Sequence, residues 1–154
     1  MRPVLRFLSV CLVLSAINSN ALANEKLPLT EVNVPMNAKE KANVAVVYAF
    51  MNALNIDKSA AKVAPYVDDN MIAHNPEIQG KKGMVGFADY LKDKHPNAKV
   101  VKWIHVYAKG DMVVQHYLYS HDGIKVDNKI VDFFRIKNGK IVEYWDVLQP
   151  IENK

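Results

Sequence analysis

The stretch that decides the fold class is residues 126–148, which read V-D-N-K-I-V-D-F-F-R-I-K-N-G-K-I-V-E-Y-W-D-V-L. Two runs rich in β-branched and aromatic residues flank Asn138-Gly139, a dipeptide typical of the two-residue type I′ hairpin turn. The pattern therefore predicts an antiparallel pair of strands over residues 126–136 and 141–148.

The hairpin turn also predicts the register of the two strands. It places Ile136 opposite Ile141, Phe134 opposite Glu143 and Asp132 opposite Trp145. Because side chains alternate along a strand, one face is expected to hold Ile130, Asp132, Phe134, Ile136, Ile141, Glu143, Trp145 and Val147. The other face is expected to hold Val131, Phe133, Arg135, Val142, Tyr144 and Asp146. That second face is too apolar to stay in water, so a homodimer formed through the sheet is expected, with Arg135 pairing with Asp146 or with a neighbouring chain.

Asp132 is the first candidate for chemistry. The predicted register surrounds its carboxyl with isoleucine, phenylalanine and tryptophan side chains. Burial of this kind raises the pKa of a carboxyl group and makes it a usable proton donor or acceptor near neutral pH. The alternative interpretation is an exposed strand aspartate beside an aromatic residue at the rim.

The rest of the chain supplies helices first and further strands afterwards. Asn37 and Glu40 form a capping-box pattern that opens a helix reaching about Leu54. The remaining predicted elements are a short helix capped by Asp57 and reaching Ala64, a brief strand over 71–73, a third helix over 82–94, and strands over 100–107 and 112–119. This order predicts an α+β fold in which a curved antiparallel sheet packs on the N-terminal helices.

The N-terminus is typical of an export signal. Arg2 and Arg6 precede an apolar run over residues 7–17, and Ala21-Leu22-Ala23 supplies the small-x-small pattern that signal peptidase cleaves after. We therefore expect a signal peptide over 1–23, an extended arm over 24–36, a single domain over 37–154, and a periplasmic or secreted location. The alternative interpretation is a buried first helix.

Composition excludes several classes of function. Removing residues 1–23 takes two of the 20 basic residues, which leaves 18 against 16 acidic residues, and the basic residues are scattered. No nucleic-acid-binding surface is therefore expected. The single cysteine, Cys11, lies inside the predicted signal, so no disulfide or thiolate site is expected, and the apolar run is too short to remain as a membrane anchor. The five histidines lack metal-ligand spacing, so no metal is expected.

The histidines differ in what their positions imply. His116 shares a predicted strand face with Met112, Val114 and Leu118, so it is either a core histidine or a proton-sharing partner of Asp132. His74 precedes Asn75-Pro76, where it can polarise a carbonyl or simply form part of a turn. His95 and His121 are expected to face solvent in loops, and His105, on a strand with Trp103 and Tyr107, is ambiguous.

Several of these motifs together resemble one family. They are Y-V-D-D-N-M-I-A-H-N-P at 66–76, Gly80, Gly110-Asp111 before the strand with His116, and V-D-F-F-R-I-K-N-G-K-I-V-E-Y-W-D-V at 131–147. Over residues 38–150 the chain resembles the SnoaL-like polyketide cyclases, which share a cone-shaped α+β fold with nuclear transport factor 2 and ketosteroid isomerase. The resemblance implies an apolar pocket, homodimers, and acid–base catalysis beside a carbonyl without metal or cofactor.

The resemblance also implies roles for individual residues. Asp132 matches the pocket aspartate of the cyclases and isomerases, and Tyr48 falls near the tyrosine of the isomerase oxyanion hole. Asn75 stands where the isomerases carry their aspartate base, so steroid isomerisation is not implied.

Two functions are consistent with these features. The first is an exported acid–base enzyme of the lyase, isomerase or cyclase type, with Asp132 shuttling a proton, His116 and His74 tuning it, and Tyr48 or Asn75 stabilising an enolate oxygen. Its small apolar or carbonyl-containing substrate would contact Trp103, Phe134 and Trp145. The second is a non-catalytic module that binds an apolar small molecule or a partner protein. Fold alone does not choose between them.

Overall fold

The computed structural model describes residues 35–151, so the predicted signal peptide and nearly all of the predicted arm lie outside the described residues. The first helix, α1, covers Ala38–Asn55 and opens with the predicted capping box. The Asn37 side chain accepts a hydrogen bond from the Glu40 N–H at 3.0 Å, and Glu40 Oε2 accepts one from the Asn37 N–H at 2.9 Å. Glu40 Oε1 also accepts from the Gly110 N–H at 2.9 Å, so the cap ties the start of α1 to a turn of the sheet.

The second helix, α2, is short and covers Ala60–Val63, followed by a 3₁₀ turn over Ala64–Tyr66. The prediction that Asp57 caps it is wrong, because Ser59 occupies the N-cap position. Asp57 Oδ1 instead accepts a hydrogen bond from Lys62 Nζ at 2.7 Å. The third helix, α3, covers Gly80–Lys94, and His95 is its C-cap. The helix ends there because His95 precedes Pro96, and the residue before a proline avoids helical backbone angles.

Five strands form one sheet: β1 (Val67–Ala73), β2 (Lys99–Lys109), β3 (Met112–Ser120), β4 (Asn128–Lys137) and β5 (Lys140–Pro150). Their order across the sheet is β1-β5-β4-β3-β2. Strands β2 to β5 form the predicted antiparallel meander, while β1 pairs in parallel with β5. Strand β1 begins at Val67, four residues before the predicted start.

The β4–β5 hairpin has the predicted turn but not the predicted register. Asn138 and Gly139 both adopt positive φ, 52° and 72°, and Ile136 faces Ile141 as expected for a type I′ turn. The register then shifts between Ile136 and Arg135, since Arg135 faces Glu143 and Val142 is the extra residue on β5. Such a β-bulge moves every later residue of its strand to the other face of the sheet.

The bulge overturns the predicted pairs of Phe134 with Glu143 and of Asp132 with Trp145. Asp132 faces Asp146 instead, Phe134 faces Tyr144, and Phe133 faces Trp145. Consequently the inner face, which packs against the helices, carries Asp132, Phe134, Tyr144 and Asp146. The outer face carries Arg135, Glu143, Trp145 and Val147.

The core lies between the inner face of the sheet and helices α1 and α3. Phe50 of α1 packs edge-on against Phe134 of β4, with ring centroids 5.7 Å apart. Other core side chains with 1% exposure or less include Val47, Val63, Val67, Met84, Leu91, Val113 and Ile141. Within residues 35–151, no helix has the length and apolar character needed to cross a membrane.

Candidate active-site pocket

A cavity of about 180 Å³ opens between α1, α3 and the inner face of the sheet. This is the size of a small organic molecule. Most of its wall is apolar and includes Phe50, Met51, Leu54, Ile78, Met84, Phe87, Leu91, Ile130 and Leu148. Its polar side chains include Asn55, Asn75, Tyr117, Asp132, Tyr144 and Asp146. An apolar pocket with a few converging polar groups is the usual form of a small-molecule site.

Asp132 lies buried in the wall of this cavity, with 2% of its surface exposed. The predicted burial is thus confirmed, although its aromatic neighbours are different ones. The Tyr117 hydroxyl donates to Asp132 Oδ2 at 2.7 Å, and the Tyr144 hydroxyl donates to Oδ1 at 3.1 Å. The pKa of Asp132 is raised to about 7: burial raises it most, the charge of Asp146 also raises it, and the two tyrosine hydrogen bonds lower it.

The two tyrosines remain hydrogen-bond donors at neutral pH. Burial, followed by the nearby charge of Asp132, raises the pKa of both Tyr117 and Tyr144 well above the ordinary tyrosine value. The carboxyl between them is therefore divided between its neutral and ionised forms near neutral pH. A group in that state can either give or take a proton.

Asp146 is the pocket carboxylate that sequence reasoning missed. It lies directly opposite Asp132 across the β4–β5 pair, because the bulge turns it inward. Asn75 donates a hydrogen bond from Nδ2 to Asp146 Oδ2 at 2.7 Å, and its own Oδ1 accepts from the Glu77 N–H at 2.7 Å. Asn75 thus faces the cavity and holds Asp146 in place there.

His116 does not share the cavity with Asp132. Its Cα faces Val131 on the outer side of the sheet, while Gln115 faces Asp132 on the inner side. The His116 ring lies 3.2 Å from His105, Nδ1 to Nδ1. Burial first, then the charges of His105 and Lys129, lower the pKa of His116. The predicted partnership of His116 with Asp132 is therefore wrong.

His74 and Trp145 also lie on the outer side of the sheet. Their rings stack with centroids 4.6 Å apart and an interplanar angle of 1°, and His74 Nε2 lies 2.9 Å from Glu143 Oε1. The predicted proton transfer by His74 and substrate contact by Trp145 are wrong in geometry, because neither side chain lines the cavity within residues 35–151.

Arg135 belongs to the same outer surface. Its Nε donates to Glu143 Oε2 at 2.8 Å, and its guanidinium also bonds to the Asp111 carboxylate at 3.2 Å. The predicted pairing with Asp146 is wrong, because the bulge separates the two residues onto opposite faces.

Three predicted substrate contacts do not line the cavity: Phe134 lies in the core, and Trp103 and Tyr48 are half-buried. Phe134 is fully buried against Phe50, and Trp103 packs on Tyr117 with ring centroids 5.0 Å apart. Tyr48 packs on Trp103 at 6.4 Å. In the described part of the chain, Phe50 is the aromatic residue of α1 that lines the cavity, and Tyr48, Trp103 and Phe134 do not line it.

His95 and His121, which we call the rim histidines, lie at the edge of the cavity although the sequence predicted solvent-facing loops. Their rings meet edge to face with centroids 5.3 Å apart. Tyr90 OH lies 3.2 Å from His95 Nε2, and Tyr119 packs on His121 at 5.0 Å. No group of three or more potential metal-binding side chains was found among the described residues.

The fold and the pocket define an α+β protein of the cone-shaped nuclear transport factor 2-like class. A family model for the SnoaL-like domain matches residues 47–144, which is more than half of the chain. The chain therefore belongs to the SnoaL-like family, as its motifs indicated. A comparison with curated proteins gave no match.

Solved structures share this fold at low sequence identity. A proposed polyketide cyclase from Bacillus cereus superposes with a TM-score of 0.61 and 23% identity, covering 73% of this chain and 78% of its own. An LEH-like epoxide hydrolase from M. tuberculosis gives 0.58 and 17%, covering 72% and 85%. A proposed SnoaL-like isomerase from Agrobacterium tumefaciens gives 0.59 and 13%, covering 71% and 98%. At these identities the likeness establishes the fold alone.

Proposed function

We propose that this protein is an isomerase-type acid–base catalyst that acts on a small, apolar carbonyl compound. The observation that carries the proposal is the pair of facing carboxyl groups in the cavity wall, Asp132 and Asp146. The pKa of Asp132 is raised to about 7, mainly by burial and in part by the negative charge of Asp146. Two carboxyl groups in different environments can divide the roles of acid and base.

In the proposed reaction the substrate carbonyl oxygen lies against protonated Asp132. The Asp146 carboxylate takes a proton from the carbon beside the carbonyl. The electron pair of that C–H bond forms a carbon–carbon double bond, and the carbonyl π pair moves to oxygen, which receives the proton of Asp132. Return of a proton to the same or a different carbon regenerates the carbonyl compound and resets both side chains.

The arrangement suits a single carbonyl unit. Directly facing side chains in an antiparallel pair have Cβ atoms roughly 5 Å apart, so the two carboxyl groups can reach a carbonyl oxygen and the adjacent carbon together. Asn75, which stands where the related isomerases carry their base, instead donates its amide hydrogen to Asp146. In this proposal Asp146 takes over the base role that position 75 lacks.

The test uses benzylacetone, an apolar ketone, and follows deuterium incorporation beside its carbonyl in heavy water by NMR. We expect catalysed exchange by the wild-type protein and a decrease of ~10²–10⁴-fold in Asp132→Asn and in Asp146→Asn, the usual contribution of an acid or base. Asp69→Asn is the matched control, because its side chain is 80% exposed on β1. Exchange at the wild-type rate in Asp132→Asn overturns the proposal. A wild-type exchange rate no faster than that in buffer alone also overturns it. Binding of benzylacetone without exchange would support the non-catalytic binding module.

We further propose that the protein acts outside the cytoplasm. The support is the order of segments in residues 1–23: two arginines come first, an apolar run follows, and small residues end the segment. Mass spectrometry of the protein made in its native host should find a mature N-terminus at or near Asn24. A chain that retains residues 1–23, or one that carries a lipid on Cys11, would contradict this.

A further inference from the structure

The rim of the pocket contains a second polar centre, formed by His121 and Asp127. His121 Nδ1 lies 3.0 Å from Asp127 Oδ1 and 3.1 Å from Oδ2, and the His121 backbone N–H donates to Oδ2 at 3.0 Å. Asn128 Nδ2 donates to Oδ1 at 2.9 Å. The carboxylate therefore holds both the backbone and the ring of His121.

These contacts determine the tautomer of the ring. Burial opposes ionisation of Asp127 most strongly, but the hydrogen bonds from His121 and Asn128 together hold its pKa below the ordinary value. Asp127 is therefore an anion at neutral pH and can only accept, so the Nδ1 that faces it must carry the proton. With the proton on Nδ1, Nε2 of the neutral ring is a hydrogen-bond acceptor, and the His121 side chain lines the cavity.

The ring is also fixed by packing. Tyr119 meets it at 82° with centroids 5.0 Å apart, and His95 meets it at 67° with centroids 5.3 Å apart. His95 is in turn 3.2 Å from the Tyr90 hydroxyl through Nε2. A ring held by a carboxylate and by two aromatic neighbours presents its acceptor in one direction.

The two polar centres lie far apart in the same cavity. Asp132 and Asn128, which donates a hydrogen bond to Asp127, lie four residues apart on β4. At about 3.4 Å per residue, their Cα atoms are separated by roughly 14 Å. The wall along the cavity is mainly apolar and includes Phe50, Leu54, Phe87, Leu91 and Ile130.

We infer that the pocket takes an elongated, otherwise apolar carbonyl compound that carries a hydroxyl group at its far end, and that this hydroxyl donates a hydrogen bond to His121 Nε2. The inference rests on the proposed function for the placement of the carbonyl at Asp132. A hydroxyl fits better than a carboxylate, since the Asp127 carboxylate lies against the His121 ring at this end of the site. A neutral donor meets the acceptor without that repulsion.

Three probes test the inference by calorimetry: benzylacetone, its para-hydroxy derivative and its para-methoxy derivative. We expect the hydroxy compound to bind about fivefold more tightly than the other two, as one additional hydrogen bond provides. His121→Phe should remove this preference. His116→Phe is the matched control, because it changes a histidine on the outer face of the sheet.

Further measurements separate this inference from the proposed function. Asp132→Asn should weaken all three probes to a similar extent and leave the preference for the hydroxy compound. If His121→Phe does not fold, nitrogen NMR of the wild-type protein replaces it, and the His121 Nε2 resonance should shift with the hydroxy probe and not with the methoxy probe. Equal affinity for the three probes, or a preference that survives in His121→Phe, overturns this inference alone. Failure of all three to bind overturns both proposals.

Discussion

The Tyr117 hydroxyl donates a 2.7 Å hydrogen bond to Asp132 Oδ2, and this contact is the largest effect that opposes burial in setting the Asp132 pKa. The Tyr144 hydroxyl acts in the same direction from the other oxygen, at 3.1 Å. Both hydrogen bonds favour the ionised carboxylate. The pair of tyrosines therefore keeps the Asp132 pKa at about 7 instead of a still higher value.

Replacing Tyr117 by phenylalanine should raise the Asp132 pKa above about 7. The change removes a donor that stabilises the ionised form and leaves the apolar ring in place. Titration of the Asp132 carboxyl carbon by NMR measures the shift. Tyr90→Phe is the matched control, since Tyr90 lies at the rim and bonds His95. An Asp132 pKa that stays constant or falls in Tyr117→Phe would show that the hydrogen bond does not have this effect.

Asp132 should make the stability of the protein depend on pH. Its folded pKa of about 7 lies above the ordinary aspartate value of 3.8, so the folded state binds the proton more tightly than the unfolded state. The stabilisation is complete below about pH 4 and is lost as the pH rises through 7, to a total of about 4 kcal/mol. Urea unfolding of wild type and Asp132→Asn at pH 4 to 8 measures this effect. The free energy of unfolding of the wild type minus that of the variant should decrease as the pH rises. A difference that grows with pH would contradict the sign.

Gly123→Ala should destabilise the loop that carries His121. Gly123 has a φ of 76°, and an added Cβ would lie 2.5 Å from the Asn97 carbonyl oxygen. We expect a loss of roughly 1–3 kcal/mol in the free energy of unfolding, from backbone strain and this clash. Gly110→Ala is the matched control, because Gly110 has a similar φ of 63° with open space around the added atom. If thermal unfolding shows the same loss for both variants, the contact with Asn97 has no effect of its own.

The outer face of the sheet should form a homodimer. Val131 and Phe133 lie there as predicted, the bulge adds Trp145 and Val147, and it removes Tyr144 to the inner face. Val147 is 59% exposed, and we expect Val147→Lys to weaken association roughly tenfold or more by burying an unpaired charge. Light scattering at tens of micromolar protein measures the association. Ile124→Lys is the control, because this side chain is 91% exposed in a loop. A wild-type monomer under these conditions would rule the dimer out.

The sequence predicts the order of elements well because local signals determine them. The capping box at Asn37, the turn at Asn138-Gly139 and the proline after His95 each act within a few residues. The fold class follows from that order. The parallel pairing of β1 with β5 could not be predicted, because it depends on contact between segments about 70 residues apart.

The candidate site was predicted less well, for two physical reasons. The aliphatic residues Val114 and Leu118 made the outer face of β3 look like the buried one, whereas Tyr117 occupies the inner face. Alternation alone cannot choose between two faces that are both largely apolar. The rim histidine His121 sits in a loop, and the contact with Asp127 that directs it inward has no periodic signal.

The extra residue at Val142 has a consequence for how this site can change over generations. Loss of Val142 would restore the plain alternation and leave Tyr144 and Asp146 in place opposite Phe134 and Asp132. Straightening the strand with Val142 retained would instead turn Tyr144 and Asp146 out of the interior and bring Glu143 and Trp145 into it. In this hairpin, therefore, a single-codon deletion at the bulge keeps the pocket side chains, and selection on the pocket acts on the bulge as well as on the residues of β5.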